Sequence, residues 1–228
     1  MIQRTRIKIC GLTREADLDA AVRAGADAIG FVLYERSLRH VSIRRASELA
    51  RRLPPFVTPV LLFVNAATDK IREACETIPG AILQFHGDET PDQCLAATSS
   101  GKHPFLRAAR IPPGAGGADF DLVKYALDYS KARAILLDTQ VDGYGGAGRT
   151  FNWSLLPPNV NAHLVLSGGL TAANVADGIL QVRPRCITLA VDVSSGVELS
   201  GSGNKGLKDP EKIHQFVAAV RAADRQFE

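Results

Sequence analysis

The order of apolar and polar stretches constrains this chain more than any single residue. Eight short apolar runs occupy roughly residues 5–9, 28–33, 57–64, 81–85, 105–108, 134–137, 163–166 and 187–191. Helical patterns lie between and after them, roughly over residues 14–24, 44–53, 69–77, 91–99, 120–129, 172–180 and 210–223. The connection at residues 152–156 has room for only a turn of helix. Parallel strands need crossovers of about this length, so the alternation predicts a parallel sheet with helical connections. Thr13, Thr68 and Thr171 are predicted to cap helix starts. Pro91 after Thr90 and Pro210 after Asp209 fit the first helical position, and Gly25 and Gly101 fit helix ends.

An α/β chain of this kind either closes into a (β/α)8 TIM barrel or stays open as a doubly wound sheet. Both place ligand loops beyond the carboxyl ends of the strands. Eight similar units favour closure. The proline- and glycine-rich stretch at residues 110–117 is too short for a linker, and both flanks continue the alternation. Residues 1–228 are therefore read as one domain.

An apolar fraction of 46% supplies a core, and 22% charged residues argue against disorder. The net charge of +3 is a weak bias. With no long basic run and no aromatic–basic interleaving, a nucleic-acid partner has little support. No apolar run approaches a membrane span, and the first residues lack the apolar core of a secretory signal. The four cysteines are far apart and form no CxxC pair, which suits free thiols in a reducing, cytoplasmic setting. Cys75, Cys94 and Cys186 are expected to fill apolar space.

The chemistry collects at the ends of the apolar runs. Ala190-Val191-Asp192-Val193-Ser194-Ser195-Gly196-Val197-Glu198 ends one run, and Leu164-Val165-Leu166-Ser167-Gly168-Gly169 ends the run before it. Two adjacent endings rich in glycine and serine suggest a phosphate cradle at a barrel mouth, set apart from Cys10. Alternation separates Lys8 and Cys10 from Ile7 and Ile9, so Cys10 closes the first strand. A thiol there can accept a proton if it ionises near neutrality, or it can simply be a small buried side chain. Asp138 ends the sixth run and Asp192 the eighth. On separate strands of a ring, Cys10 and Asp138 can approach one ligand from opposite sides as base and acid; a loop-anchoring aspartate is the plainer alternative. Arg39, just after the second strand, can hold a carboxylate in a two-donor fork. Gln84 and His86 end the fourth run as substrate-binding candidates, and a hydrogen-bonded structural imidazole is the alternative for His86. Gly145, Gly146 and Gly148 make a loop able to close over a ligand, with Trp153 anchoring its end in the core. The histidines form no HxH or HExxH pattern, so no metal site is expected.

Taken in order, these motifs resemble phosphoribosylanthranilate isomerase of tryptophan biosynthesis. They are Lys8-Ile9-Cys10-Gly11-Leu12, Gly30-Phe31-Val32, Ser37-Leu38-Arg39, Gln84-Phe85-His86-Gly87, Asp138, Gly145-Gly146-Ala147-Gly148 with Phe151-Asn152-Trp153, Ser167-Gly168-Gly169-Leu170, and Asp192 to Glu198. The likeness spans residues 7 to about 213, and Lys208-Asp209 fits the family's ending. It implies a cofactor-free (β/α)8 barrel, a monomer or homodimer, acting on a small phosphosugar in an Amadori rearrangement. It places the catalytic cysteine on Cys10 and the catalytic aspartate on Asp138. The arginine for the anthranilate carboxylate falls on Arg39, and the aspartate near the bridging nitrogen on Asp192. The phosphate loops fall on Gly168, Gly169, Ser194, Ser195 and Gly196. Leu38 stands where the family usually has proline, Phe85 where leucine is common and Ser167 where alanine is usual. The segment at residues 200–206 looks longer or more variable than usual. Indole-glycerol-phosphate synthase would call for a strand-end lysine and glutamate, and ribulose-phosphate epimerase for metal ligands. A silent phosphosugar-binding barrel would leave Cys10 and Asp138 without a shared task.

Overall fold

The computed structural model describes residues 4–140 and 150–227. Eight parallel strands form a closed barrel in chain order: β1 (Arg6–Cys10), β2 (Ala28–Val32), β3 (Thr58–Phe63), β4 (Ile82–Phe85), β5 (Phe105–Ile111), β6 (Ala134–Thr139), β7 (His163–Leu166) and β8 (Thr188–Val193). Closure is made by β8 against β1, where Lys8 stands opposite Asp192. The expected barrel is the observed one, and the open sheet is not.

Strand alternation sorts the side chains into two layers. Ile7, Ile9, Ile29, Phe31, Leu83, Phe85, Leu137 and Val191 belong to the main apolar cluster, together with the buried faces of the helices. A separate small cluster of Ala108, Leu136 and Val165, flanked by Ala134 and Ala190, fills part of the barrel interior. Lys8, Cys10, Asp138 and Asp192 share strand parity with this inner layer and lie above it.

The crossovers are α1 (Glu15–Ala24), α2 (Ile43–Ala50), α3 (Thr68–Thr77), α4 (Pro91–Ala97), α5 (Leu122–Asp128), α6 (Val175–Val182) and α7 (Pro210–Arg225). A short 3₁₀ turn at Trp153–Leu155 stands where the chain leaves room for no longer helix. Pro91 follows a capping box of Thr90 and Gln93, and Asp209 caps α7 ahead of Pro210. Gly25 ends α1 as expected. The three threonine caps are not found. Arg14 precedes α1 without a side-chain cap, and Thr68 is itself the first residue of α3. At α6 the Asn174 amide oxygen accepts from the Thr171 N–H at 2.8 Å, which makes a turn and delays the helix to Val175.

Trp153 and Phe151 are buried, with Trp153 against Gly178 of α6. Cys75 and Cys94 are buried and Cys186 half-buried, all as free thiols, and burial pushes Cys94 and Cys186 up to about 11. Among the described residues, no helix is long and apolar enough to cross a membrane.

Candidate active site

All strands of a closed parallel barrel end on one rim, and that rim gathers the residues singled out in the sequence. Cys10 is the last residue of β1, and Asp138 and Asp192 are the penultimate residues of β6 and β8. The strands therefore run further than the apolar runs alone indicate. An inward-facing acid keeps its backbone in the ladder, as Arg110 opposite Asp138 illustrates. Arg39 hangs from the β2–α2 connection, which is pinned where the Val41 N–H donates to the Val32 carbonyl at 2.9 Å. Gly168 and Gly169 follow β7, and Ser194, Ser195 and Gly196 follow β8. Gly145, Gly146 and Gly148 lie outside the described residues.

Three bonded groups occupy the rim. In the first, the Gln84 amide nitrogen lies 3.0 Å from His86 Nδ1, and His86 Nε2 lies 2.8 Å from Asp138 Oδ2. With the amide donating to Nδ1, the imidazole carries its hydrogen on Nε2 and donates to the carboxylate. The Thr139 N–H donates to Asp138 Oδ1 at 2.9 Å, so both carboxyl oxygens are held. Gly168 leaves room for this: a Cβ there would come within 2.8 Å of Asp138 Oδ1, and its φ of +79° is one that side chains avoid. Below the His86 loop lies a feature the sequence did not disclose. Arg107 of β5 donates to the Phe85 and Gly87 carbonyls and to Glu89, each within 3.1 Å, and lies over the ring of Tyr129. A buried arginine thus fixes the chain on both sides of His86.

The second group is Lys8, Asp192 and Cys10. Lys8 Nζ donates to Asp192 Oδ2 at 2.8 Å, both side chains being buried. Burial works against the Lys8 ammonium, but Asp192 and Cys10 outweigh it and its pKa rises. Burial also pushes the Cys10 thiol up, and Lys8 draws it back while Asp192 adds to the rise. A thiol made acidic in the resting protein is therefore not what this rim provides. Among the described residues, the other Asp192 oxygen and the Gln84 carbonyl oxygen are buried without hydrogen-bond partners.

The third group joins Arg39, Glu198, Lys208 and Ser194. Arg39 Nε and Nη2 donate to the two Glu198 carboxyl oxygens at 2.6 and 3.0 Å. Lys208 Nζ donates to Glu198 Oε1 at 3.1 Å and to the Ser194 carbonyl and hydroxyl at 3.0 and 3.2 Å. The Ser194 hydroxyl in turn donates to the Cys10 carbonyl at 3.0 Å. Two expectations change here. Arg39 is not a free fork, because one edge is spent on Glu198. Ser194 touches the Cys10 backbone, so this candidate phosphate-loop residue is not set apart from the β1 end. Burial raises the Glu198 carboxyl, but Arg39 and Lys208 reverse that and hold it below the usual range. Burial pulls Lys208 down, with Glu198 opposing and Arg39 adding to the fall. The arrangement favours the carboxylate more than the ammonium because Glu198 is shared between two cations.

Among the described residues no group of three His, Cys, Asp or Glu side chains could hold a metal ion. A family model described as N-(5'phosphoribosyl)anthranilate (PRA) isomerase matches residues 7–219. The N-(5'-phosphoribosyl)anthranilate isomerase of Leptothrix cholodnii is 61% identical over 221 residues, covering 97% of this chain and 93% of its own. The crystal structure of phosphoribosyl anthranilate isomerase from Thermotoga maritima superposes with a TM-score of 0.80 at 37% identity, covering 96% of this chain and 99% of its own. A crystal structure of a phosphoribosyl anthranilate isomerase in complex with reduced 1-(o-carboxyphenylamino)-1-deoxyribulose 5-phosphate gives a TM-score of 0.77 at 34% identity, covering 96% of this chain and 99% of its own. By sequence along nearly its whole length, and by fold, the chain belongs to the N-(5'-phosphoribosyl)anthranilate isomerase family.

Proposed function

We propose that this barrel converts N-(5'-phosphoribosyl)anthranilate to 1-(2-carboxyphenylamino)-1-deoxyribulose 5-phosphate, with Cys10 as general base and Asp138 as general acid. The observation that carries the reading is the placement of the two groups. They stand on one rim, three strands apart in the closed order, each tied to its own partners. Base and acid must reach different atoms of one sugar, and separate strands allow that.

Asp138, protonated, delivers its hydrogen to the furanose oxygen as the ring C–O bond breaks. The anthranilate nitrogen lone pair forms an iminium at the former anomeric carbon. That electron sink acidifies the neighbouring C2–H, and the Cys10 thiolate removes the proton. The resulting enolamine takes a proton at C1 and loses the one on its hydroxyl, giving the ketose. Atoms and electrons balance within the substrate. Asp192, with one oxygen on Lys8 and the other without a partner among the described residues, is the acceptor for the bridging N–H in this reading. Gln84 and His86 orient the acid. The loops at Gly168–Gly169 and Ser194–Gly196 take the phosphate through backbone N–H groups, since the Ser194 hydroxyl is already engaged.

The direct test is an assay with N-(5'-phosphoribosyl)anthranilate, following loss of its fluorescence and formation of the ketose. Turnover at catalytic enzyme concentration is expected. Saturable binding without turnover would instead make the chain a silent phosphosugar-binding barrel.

Arg39→Lys is expected to weaken binding of the anthranilate part although the charge stays. Lysine cannot hold Glu198 with two donors and still offer a third nitrogen to a carboxylate. The comparison is between anthranilate and a phosphosugar without the ring. Equal losses for both would place Arg39 elsewhere.

A further inference from the structure

We infer that Lys208 and Glu198 are positioning residues that set the net charge Arg39 presents to the substrate carboxylate, and that Lys208 serves the phosphate loop in the same way. The inference rests on the reading of Arg39 as the carboxylate-binding arginine.

An arginine bonded through two nitrogens to a buried carboxylate is close to a neutral pair. It can orient an anion but attracts one weakly. Arg39 is in that position, with Nε and Nη2 committed to Glu198. Lys208 changes the sum. Its ammonium lies 3.1 Å from the same carboxylate, so two cations share one anion and one positive charge is left over. The Lys208 side chain is 0% exposed, so no substrate can touch it. Its effect must pass through Glu198 and Arg39. In a water-poor rim that effect is stronger than at a surface.

The second half comes from the other bonds of the same nitrogen. Lys208 Nζ meets the Ser194 carbonyl and hydroxyl, so its three hydrogens have three acceptors. Ser194 opens the β8 loop proposed to hold the phosphate. One buried cation therefore lies beneath both anionic ends of the proposed substrate. The Lys208 backbone is fixed as well, its N–H donating to Asp17 Oδ2 at 3.2 Å. Asp17 is already paired with Arg14 through two bonds, at 2.6 and 3.1 Å, and does not cancel Lys208. Cys10 also interacts with this ammonium. A side chain needed only for packing would avoid the cost of burying a charge.

The test titrates anthranilate and inorganic phosphate separately into wild type, Lys208→Met, Glu198→Gln/Lys208→Met and Arg39→Lys, below the melting temperature of each. Lys208→Met is expected to weaken both ligands by about tenfold. The double variant removes one charge of each sign and leaves Arg39 uncompensated. It should regain most of the anthranilate affinity and none of the phosphate affinity. A lysine that only supports the fold predicts no such split. Unchanged affinities in Lys208→Met, or a double variant as weak for anthranilate as the single, would overturn the inference. If Lys208→Met does not fold, the double variant decides alone: anthranilate affinity near wild type supports the inference, and its loss overturns it. Unchanged anthranilate binding in Arg39→Lys would remove the underlying reading of Arg39, and the inference with it.

Discussion

Replacing Cys10 by serine is expected to lower kcat by roughly 10²-fold or more, with substrate binding much less affected. Serine fills nearly the same space beside Gly30 of β2, so the fold has little reason to change. What is lost is a group able to exist as an anion in the working pH range. A serine hydroxyl beside Lys8 stays protonated, and the C2 proton then has no acceptor. Near-wild-type turnover in Cys10→Ser would contradict the assignment. Thermal unfolding of the variant separates lost chemistry from lost structure.

The surroundings of Cys10 add a pH dependence whose sign follows from the geometry. Burial raises the thiol pKa, so the thiolate is scarce at neutral pH and grows as pH rises toward that pKa. On the acid side, kcat/KM should therefore climb with pH. Lys8 is the strongest influence in the opposite direction, drawing the thiol down. Lys8→Met removes that pull and should move the rising limb to higher pH. The thiolate's ultraviolet absorbance, compared with Cys10→Ser, should move the same way without reference to turnover. A limb that stays in place in Lys8→Met would show that Lys8 acts only by packing.

Lys8 carries no local signal in the sequence that marks it as part of the site. Cys10, Asp138 and Asp192 could be read because each ends an apolar run, a local signal. The interest of Lys8 depends on Asp192, 184 residues away, and the pair exists only when β8 closes against β1 in one register. Arg39 and Glu198 are 159 residues apart and meet for a similar reason. Glu198 and Lys208 were visible as residues but gave no local hint that they share one buried network. Arg107 was hidden differently. On an apolar strand it looks like an outward-facing surface residue, yet Tyr125 of α5 and Tyr129 just after that helix cover it.

Barrel closure was legible because eight repeated units each carry the same pattern. Helix boundaries were less so. Thr13, Thr68 and Thr171 have the chemistry of caps, but a cap also needs its backbone in the residue before the first helical turn. Ser42 and Thr90 meet that condition. Thr68 lies one residue too late, and Thr171 gives way to Asn174. The apolar runs stop short of the ends of β5, β6 and β8 for one shared reason. Apolar runs mark where side chains are buried, whereas the ladder is made by backbone and continues through Arg110, Asp138 and Asp192.

Asp138→Asn is expected to cost roughly 10²- to 10⁴-fold in kcat, the range for removing a general acid or base. The amide keeps the outline of the carboxyl group but carries no proton that can be delivered to the sugar oxygen. It also meets two donors, the Thr139 N–H and, in the tautomer set by Gln84, His86 Nε2–H. An amide oxygen can serve only one of them, so its NH2 must face the other. If it faces His86, the imidazole hydrogen shifts to Nδ1 and Gln84 turns its now unpartnered oxygen toward it. The same turn accommodates a protonated Asp138 in the wild type, whose O–H then donates to Nε2. Gln84 thus permits both protonation states without leaving a donor facing a donor. Gln84→Met should lower kcat by less than Asp138→Asn, because the acid remains and only the choice of tautomer is freed. Steady-state kinetics on both variants, with melting temperatures to confirm folding, check the order. Wild-type kcat in Asp138→Asn would end the assignment. Equal losses in the two variants would point instead to His86, whose tautomer Gln84 controls directly, as the group that delivers the proton.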